Sequence, residues 1–267
     1  MKIRPLLLGL VGVHLLPLVS PDCRAANVDT ELVILVDAQT YSASDFNLMI
    51  ENVARSFERQ EFIDSVMNGI YGKMATSVML YNLSGQQVAT SWAELSTPQQ
   101  FTNFAQTVRG ITYPNRGGNV SYAAAITAAR NSINSSSFVG TTKQITIIDD
   151  ATGFYSADPA GTLAARNSAL AAGVDLINAI VFDAAHRETE IANFYNTNVV
   201  NQPGGVTLVS SPQGGPKSSL NLSQISTSIS TQISEPTMTI SAVPEPSGLL
   251  LMGASALVFC AGIRRRA

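Results

Sequence analysis

Cysteine is almost missing from this chain. Of 267 residues only Cys23 and Cys260 carry a thiol, and both lie in apolar terminal stretches. With those stretches set aside, the central region has no disulfide, no thiolate nucleophile and no cysteine metal cluster. Histidine is nearly as scarce: His14 falls in the N-terminal stretch, which leaves His186 as the single imidazole of the centre. Charge is thin as well, at 13% of residues with a net of −3. Basic runs are missing until the last few positions, so the electrostatic footprint of a nucleic-acid binder is not there. Ser, Thr, Asn and Gln take the place of charge, a composition that suits an exported or surface protein. Apolar residues make up 45%, enough at this length to build a sizeable core.

Both ends read as addresses rather than as fold. Residues 1–26 set Lys2 and Arg4 ahead of an apolar stretch that closes on the small residues Ala25 and Ala26. That is the order of a secretory signal peptide. Pro5 and Pro17 disfavour an ordinary helix there, and Pro21-Asp22 before Cys23 does not suit a lipoprotein signal. At the other end, a linker over 236–242 leads into residues 243–267. These run Val243-Pro244-Glu245-Pro246, then an apolar segment from Gly248 to Ile263, then Arg264-Arg265-Arg266. The segment is just long enough for a short transmembrane helix, with the arginines held on the cytoplasmic side. The order of the three parts resembles the PEP-CTERM sorting tail of Gram-negative bacteria. That resemblance implies an exported protein, transiently anchored in the inner membrane. It also implies recognition by an exosortase-type processing enzyme and delivery to the cell envelope or extracellular matrix.

Between the two addresses, residues 27–235 alternate strand and helix. Thr30 to Asp37 is a short, nearly apolar run, as expected for a strand covered on both faces. Ser44 stands where it would cap a helix with Phe46, Met49, Ile50, Val53 and Phe57 on one side. Glu61 to Asn68 adds another turn or two. Met74–Asn82 and Gln86–Glu94 alternate around a turn and read as a hairpin. Thr97-Pro98 opens a helix carrying Phe101, Phe104 and Val108. After Gly117-Gly118 an Ala-rich helix spans Val120 to Ile133. Gln144–Asp149 and Val174–Phe182 are further buried strands, separated by a helix from Pro159 that Gly173 closes. A helix over Glu188–Tyr195, a last strand over Gly204–Ser211 and an amphipathic segment marked by Leu222, Ile225, Ile229 and Ile233 complete the pattern. It predicts one α/β domain, a doubly wound Rossmann-like three-layer sandwich. Its sheet is expected to be mostly parallel with one antiparallel edge strand.

Motif order then points to a family. A first strand ending in Asp37, a hairpin, the segment Arg116–Ala129 and the run Ile145–Gly153 together resemble a von Willebrand factor A-type (vWA) domain. The likeness is strongest to the secreted bacterial domain-of-unknown-function 1194 family, where an Asn-Val-x-x-x-Pro-Gly-Gly-like segment precedes the last strand; Asn198–Gly205 stands in that place here. Such domains hold Mg²⁺ at a metal-ion-dependent adhesion site, with an Asp-x-Ser-x-Ser loop, a Thr from a second loop and an Asp from a third. By this resemblance Asp37 matches the first Asp and Asp150 the third-loop Asp, with Ala151 where Gly is usual. Gln39, Tyr41 and Val120 stand where the hydroxyl ligands belong. Hard-oxygen coordination of Mg²⁺ needs more donors than two carboxylates supply. Two such carboxylates repel each other and need solvation or hydrogen bonds to stay charged.

The reading that follows is a degenerate metal site on an intact fold, with no resident cofactor. The protein is then a non-enzymatic, envelope- or exopolysaccharide-associated binding or adhesion-type protein. Its interaction face is the set of loops around Asp37, Gly117–Ser121 and Asp150, and its partner is an envelope or matrix protein or polysaccharide. One alternative is a working divalent-cation site with altered ligands, since Ser42, Ser44, Ser121 and Asp149 lie close by. A third reading is an envelope hydrolase that uses His186, Asp183 and a serine. It lacks a Gly-x-Ser-x-Gly elbow, and no phosphate loop is present for a nucleotide.

Overall fold

The computed structural model describes residues 25–39, 42–82, 85–114, 121–151, 157–183, 187–202, 204–210 and 231. Residues 1–24 of the expected signal peptide, the linker and the sorting tail therefore lie outside the described residues, as do Tyr41, Gly117, Gly118, Val120 and His186. Among the described residues, no helix is long and apolar enough to cross a membrane.

A seven-stranded sheet forms the middle layer. Strand β1 (Ala26–Asp37) lies at its centre, with β2 (Met74–Asn82) on one side and β5 (Phe138–Asp149) on the other. Beyond β5 come β6 (Leu176–Asp183) and β7 (Val206–Ser210), and every one of these pairs is parallel. The antiparallel edge is delivered in two pieces: β3 (Gly85–Val88) and β4 (Ala93–Leu95) both pair with β2. Expected as one hairpin strand, this segment breaks where Ala89 and Thr90 both turn their amides onto the Val78 carbonyl, while the Thr90 hydroxyl accepts from Val78 N. The alternation read into Met74–Asn82 is also corrected, because β2 is buried along its whole length. Helices lie over both of its faces, so neither face is left to water.

Helices α1 (Ala43–Phe57), α2 (Gln60–Met67) and α3 (Pro98–Arg109) cover one face. Their apolar positions meet Leu32, Ile34, Val36, Val78 and Leu80 of the sheet. Phe57 is the hub of that layer, with its ring centroid 5.5 Å from that of Phe62 and 4.8 Å from that of Phe104. Burying each such ring contributes roughly 2 kcal/mol. Helices α4 (Tyr122–Asn134), α5 (Pro159–Ala171) and α6 (Glu188–Asn198) cover the other face against Val33, Leu35, Ile145, Ile147, Ala179 and Val181. Alternate residues of β1 thus feed opposite cores, which is what a period of two does to a doubly covered strand.

Helix starts follow the chemistry of the caps, with one shift. Thr97 and Asp158 cap α3 and α5, each just ahead of a proline at the first helical position. For α1 the cap is Ser42, whose side chain accepts from Asp45 N, and Ser44 falls inside the first turn instead. Capping at Ser42 leaves Asp45 within that turn, where its negative charge meets the positive end of the helix.

The Asn198–Gly205 segment has a structural task far from Asp37. Asn201 accepts from Ile177 N at 2.8 Å and donates to the Asp175 carbonyl at 2.9 Å, pinning the α6–β7 connection to the start of β6. A Cβ on Gly205 would lie only 3.1 Å from both the Gln202 carbonyl oxygen and Val200 Cβ. Backbone packed this closely leaves little room for a side chain at the second glycine.

Candidate functional site at the carboxyl end of the sheet

Parallel strands leave their carboxyl ends together, and ligands of doubly wound folds sit there. In this chain those ends are Asp37 of β1, Tyr81 and Asn82 of β2, and Asp149 of β5, with Asp37 in register with Tyr81. Helices α1 and α4 also begin at this end, capped by Ser42 and Ser121. Both hydroxyls accept from their own helix: Ser42 Oγ from Asp45 N at 3.1 Å, and Ser121 Oγ from Ala124 N at 3.3 Å.

The structure brings Asp37 and Asp150 together and adds a third acid. One carboxylate oxygen each of Asp37, Asp149 and Asp150 lies within 4.8 Å of the others, and all three residues are buried. Asp37 and Asp149 are wholly covered and Asp150 is 3% exposed. Of the two ways expected to keep such carboxylates charged, solvation or hydrogen bonds, the interior position of these acids leaves hydrogen bonds. Asp37 accepts from Gln39 N at 2.7 Å, so Gln39 serves the site through its backbone amide. Ala151 N donates to Asp149 Oδ1 at 2.5 Å, and the Tyr81 hydroxyl donates to Asp149 Oδ2 at 2.7 Å.

Below Asp149 stand three fully buried tyrosines, Tyr81, Tyr122 and Tyr195. The Tyr195 hydroxyl donates to that of Tyr122 at 3.1 Å, and their rings meet edge to face at 5.7 Å. Burial pushes the Asp149 carboxyl above the usual carboxylate range, and the charge of Asp150 adds to that. The hydroxyls of Tyr81, Tyr122 and Tyr195 pull it back down. Burial, joined by the charge of Asp149, raises all three tyrosines well above the ordinary phenol value. They are therefore neutral donors.

Like charges at this spacing repel by roughly 3 kcal/mol per pair at an effective dielectric of about 20. Three ionised acids need a cation, donors or a shared proton to stand together. The site has donors, and a positive group also approaches: Arg187 Nη2 reaches the Ala151 carbonyl at 3.5 Å from the start of α6. Ala151 itself carries φ of 59°, the left-handed conformation that favours glycine. The backbone keeps the bend of a glycine loop although the residue is alanine, at a cost of about 1 kcal/mol.

Reading the sequence alone understated Asp149 and missed Tyr81, Tyr122, Tyr195 and Arg187. A signal for two of them was present, because Tyr81 and Asp149 end apolar runs as Asp37 does. The tyrosines of α4 and α6 look like ordinary core positions until the fold places them under one carboxylate. Arg130 is a surface group that donates to Ser168 Oγ at 2.7 Å, and Trp92 donates to Ser132 Oγ at 3.1 Å.

With this geometry in view, solved structures with the same fold can be compared. Proximal thread matrix protein 1 from the mussel byssus superposes with a TM-score of 0.53 at 16% identity, over 78% of this chain and 47% of its own. A second structure of that protein, with a zinc-occupied MIDAS (metal-ion-dependent adhesion site) motif, gives 0.52 at 16% identity over 78% of this chain and 48% of its own. The pilus adhesin SpaC of Lactobacillus rhamnosus GG gives 0.51 at 10% identity, covering 80% of this chain and 31% of its own. This chain spans about half the length of the mussel protein, and identities this low establish the fold alone, a doubly wound α/β sandwich on a mostly parallel sheet. None of the curated proteins matches the chain. The DUF1194 family, described as protein of unknown function, matches residues 27–213, so the chain belongs to the DUF1194 family.

Proposed function

We propose that this protein is an exported, non-enzymatic binding or adhesion-type domain, displayed in the cell envelope or exopolysaccharide of a Gram-negative bacterium. Its ligand face is the carboxyl end of the sheet around Asp37, Asp149 and Asp150. The observation that carries this reading is the convergence of three buried carboxylates within 4.8 Å at the strand ends of a vWA-like fold. The likeness in fold to a byssus matrix protein and a pilus adhesin supports an interaction role. Export and transient anchoring rest on the signal-like residues 1–26 and on Pro244-Glu245-Pro246 with Arg264-Arg265-Arg266. The processing partner is an exosortase-type enzyme, and the displayed domain then meets a matrix protein or polysaccharide.

The site is degenerate in this reading. Gln39 contributes a backbone amide where a serine hydroxyl is usual, and Ser42 and Ser121 give their oxygens to helix caps. The positive charge of Arg187 near Ala151 lessens the need for a metal. One observation favours a second reading. Three hard oxygen donors fit Mg²⁺, Mn²⁺ or Ca²⁺ better than a softer ion, so Asp37, Asp149 and Asp150 could hold such a cation without hydroxyl help and fix the charge seen by a partner. Titration calorimetry on the full chain decides between them. Wild type, Asp37→Asn and Asp150→Asn are all expected to give silent traces with each of the three ions. A binding isotherm in wild type that both variants lose would establish the cation-dependent reading instead.

A further inference from the structure

Beside the carboxylates, on the flank of the sheet's carboxyl end, two clefts adjoin. One, of about 540 Å³, lies between α1 and the segment that leaves α3, with Asn47, Glu51, Arg109 and Tyr113 on its walls. The other, of about 430 Å³, lies between the end of α3 and β3, with Leu80, Gln87, Ala89 and Thr107 on its walls. Ile111 and Thr112 line both, so the two make one groove crossed by those residues. Each cleft is within the range of about 300–1,000 Å³ of small-ligand sites. Gln87 pairs with Leu80, and Leu80 with Val36, one residue before Asp37. The groove is therefore level with the acids, and two strand spacings, roughly 10 Å, separate β3 from β1.

The polar groups of this groove carry no net charge. Arg109 pairs with Glu51 at 2.9 Å and with Glu58 at 2.6 Å, and Arg55 pairs with Glu51 at 2.7 Å, so two cations balance two acids there. The second cleft has no charged side chain among its described walls. What the groove offers instead is carboxamides on Asn47 and Gln87 and hydroxyls on Thr107 and Thr112, all four exposed. Thr107 donates to the Asn103 carbonyl at 3.1 Å, which leaves its oxygen to accept. Apolar surface alternates with these groups: Leu80, Ile111 and the half-buried ring of Tyr113, which Phe46 braces at 5.4 Å between centroids. Beyond Leu80 and Gln87 the second cleft narrows to a crevice of about 10 Å³ beside Asn82, room for one hydroxyl. Asn82 is 2% exposed, on the same side of β2 as Leu80, and its Oδ1 has no hydrogen-bond partner among the described residues. It is an acceptor placed for a hydroxyl donor.

This chemistry selects among ligands. A charged polymer finds no unbalanced opposite charge to meet. An extended peptide is held by main-chain bonds to a sheet edge, and a helix by an apolar groove, whereas side-chain amides and hydroxyls line this one. A sugar ring has what fits: hydroxyls round its edge for those groups, and apolar C–H faces to lie on an aromatic ring. Two clefts in a row suit neighbouring units of a chain.

We infer that the groove across Ile111 and Thr112 seats consecutive sugar units of a neutral polysaccharide. Tyr113 is the stacking platform, and Asn47, Gln87, Thr107 and Thr112 pair with hydroxyls. This names the partner class of the ligand face, and it rests on the binding role proposed above. The test runs the full chain through native gels that contain a soluble β-glucan, a galactomannan, an arabinoxylan or dextran, with alginate and casein in separate gels. At least one of the four neutral polymers is expected to slow the wild type several-fold, equally in low and high salt, and neither alginate nor casein should. Gln87→Ala and Thr112→Ala change exposed side chains and leave the core intact, and each should recover most of the free mobility. Tyr113→Ala should abolish the slowing, and Gln99→Ala, an exposed amide at the far end of α3, should keep it. Slowing by none of the four overturns the groove and leaves the proposed role to a protein partner. Slowing by alginate alone and relieved by salt, or by casein alone, would make the ligand an acidic polymer or a polypeptide and overturn the neutral-sugar assignment. Slowing that Asp37→Asn loses, while the variants at 87, 112 and 113 keep it, would put the polymer on the carboxylates. That result overturns the groove while the binding role stands.

Discussion

Buried acids occur at both ends of this sheet, and they are handled in opposite ways. At the amino end Asp29 and Glu31 stand apart, each satisfied locally. Asp29 takes the amides of Tyr71 and Lys73, and Glu31 takes Ser136 Oγ at 2.7 Å and Gly140 N at 2.6 Å. At the carboxyl end Asp37, Asp149 and Asp150 crowd within 4.8 Å, and phenols stand behind one of them. A buried carboxylate is thus not in itself a site. Dispersed and wrapped in backbone amides, it fastens a loop; gathered with its fellows at strand ends, it builds a charge that something else must answer.

The sharpest way to break the comparison is to truncate an acid at each end. Asp29→Ala leaves two amides without an acceptor and frees a loop, and is expected to cost about 3 kcal/mol in urea unfolding. Asp37→Ala removes one of three repelling charges and should cost clearly less. An equal loss at both ends would show that the carboxyl-end acids are structural fasteners too.

A smaller effect is expected from Tyr81→Phe. It removes the hydroxyl on Asp149 Oδ2 and leaves a buried acid short of a donor, for about 2 kcal/mol. In Asp149→Asn the same tyrosine change should cost much less, because the acid it serves is gone, and a double-mutant cycle measures that coupling.

The smallest effect concerns pH, and the two kinds of acid differ in sign. Glu51 and Glu58 are held below the usual glutamate value, first by hydrogen bonds from Arg109. Their contribution is complete above the unfolded value near 4.5 and is lost as pH falls through the folded ones. These groups are partly exposed, so the gap between wild type and Arg109→Ala should be about 0.5–1 kcal/mol at neutral pH and should close in acid. Asp149, raised by burial, runs the other way. The native state holds its proton longer than the unfolded state does, so wild type should lose stability relative to Asp149→Asn as pH rises from the ordinary value of 3.8. Parallel pH profiles for both variants would contradict this division.

Fold class was legible from periodicity. The run from Leu32 to Asp37 can only be a strand covered twice, and Phe46, Met49, Ile50, Val53 and Phe57 can share only a helical face. The β3–β4 break escaped notice because it depends on one threonine hydroxyl meeting an amide across the sheet. The cap shift from Ser44 to Ser42 escaped for a similar reason, since two serines two residues apart offer the same chemistry and tertiary placement selects one. Asp37 stood out because an acid ending an apolar run is conspicuous, and Asp150 through the resemblance of its loop to a known family, whereas Tyr122 and Tyr195 resemble ordinary core aromatics.

By itself, then, the sequence determined the layers, the strand ends and the acids placed on them, because side-chain alternation and helical spacing are local properties of the chain. Only the tertiary structure decided that Asp149 joins Asp37 and Asp150, that three phenols and Arg187 gather around them, and that clefts beside them join α1, β3 and the segment leaving α3. Those groups come from elements far apart in sequence. Their meeting is set by strand order and by the packing of helices on the two faces of one sheet.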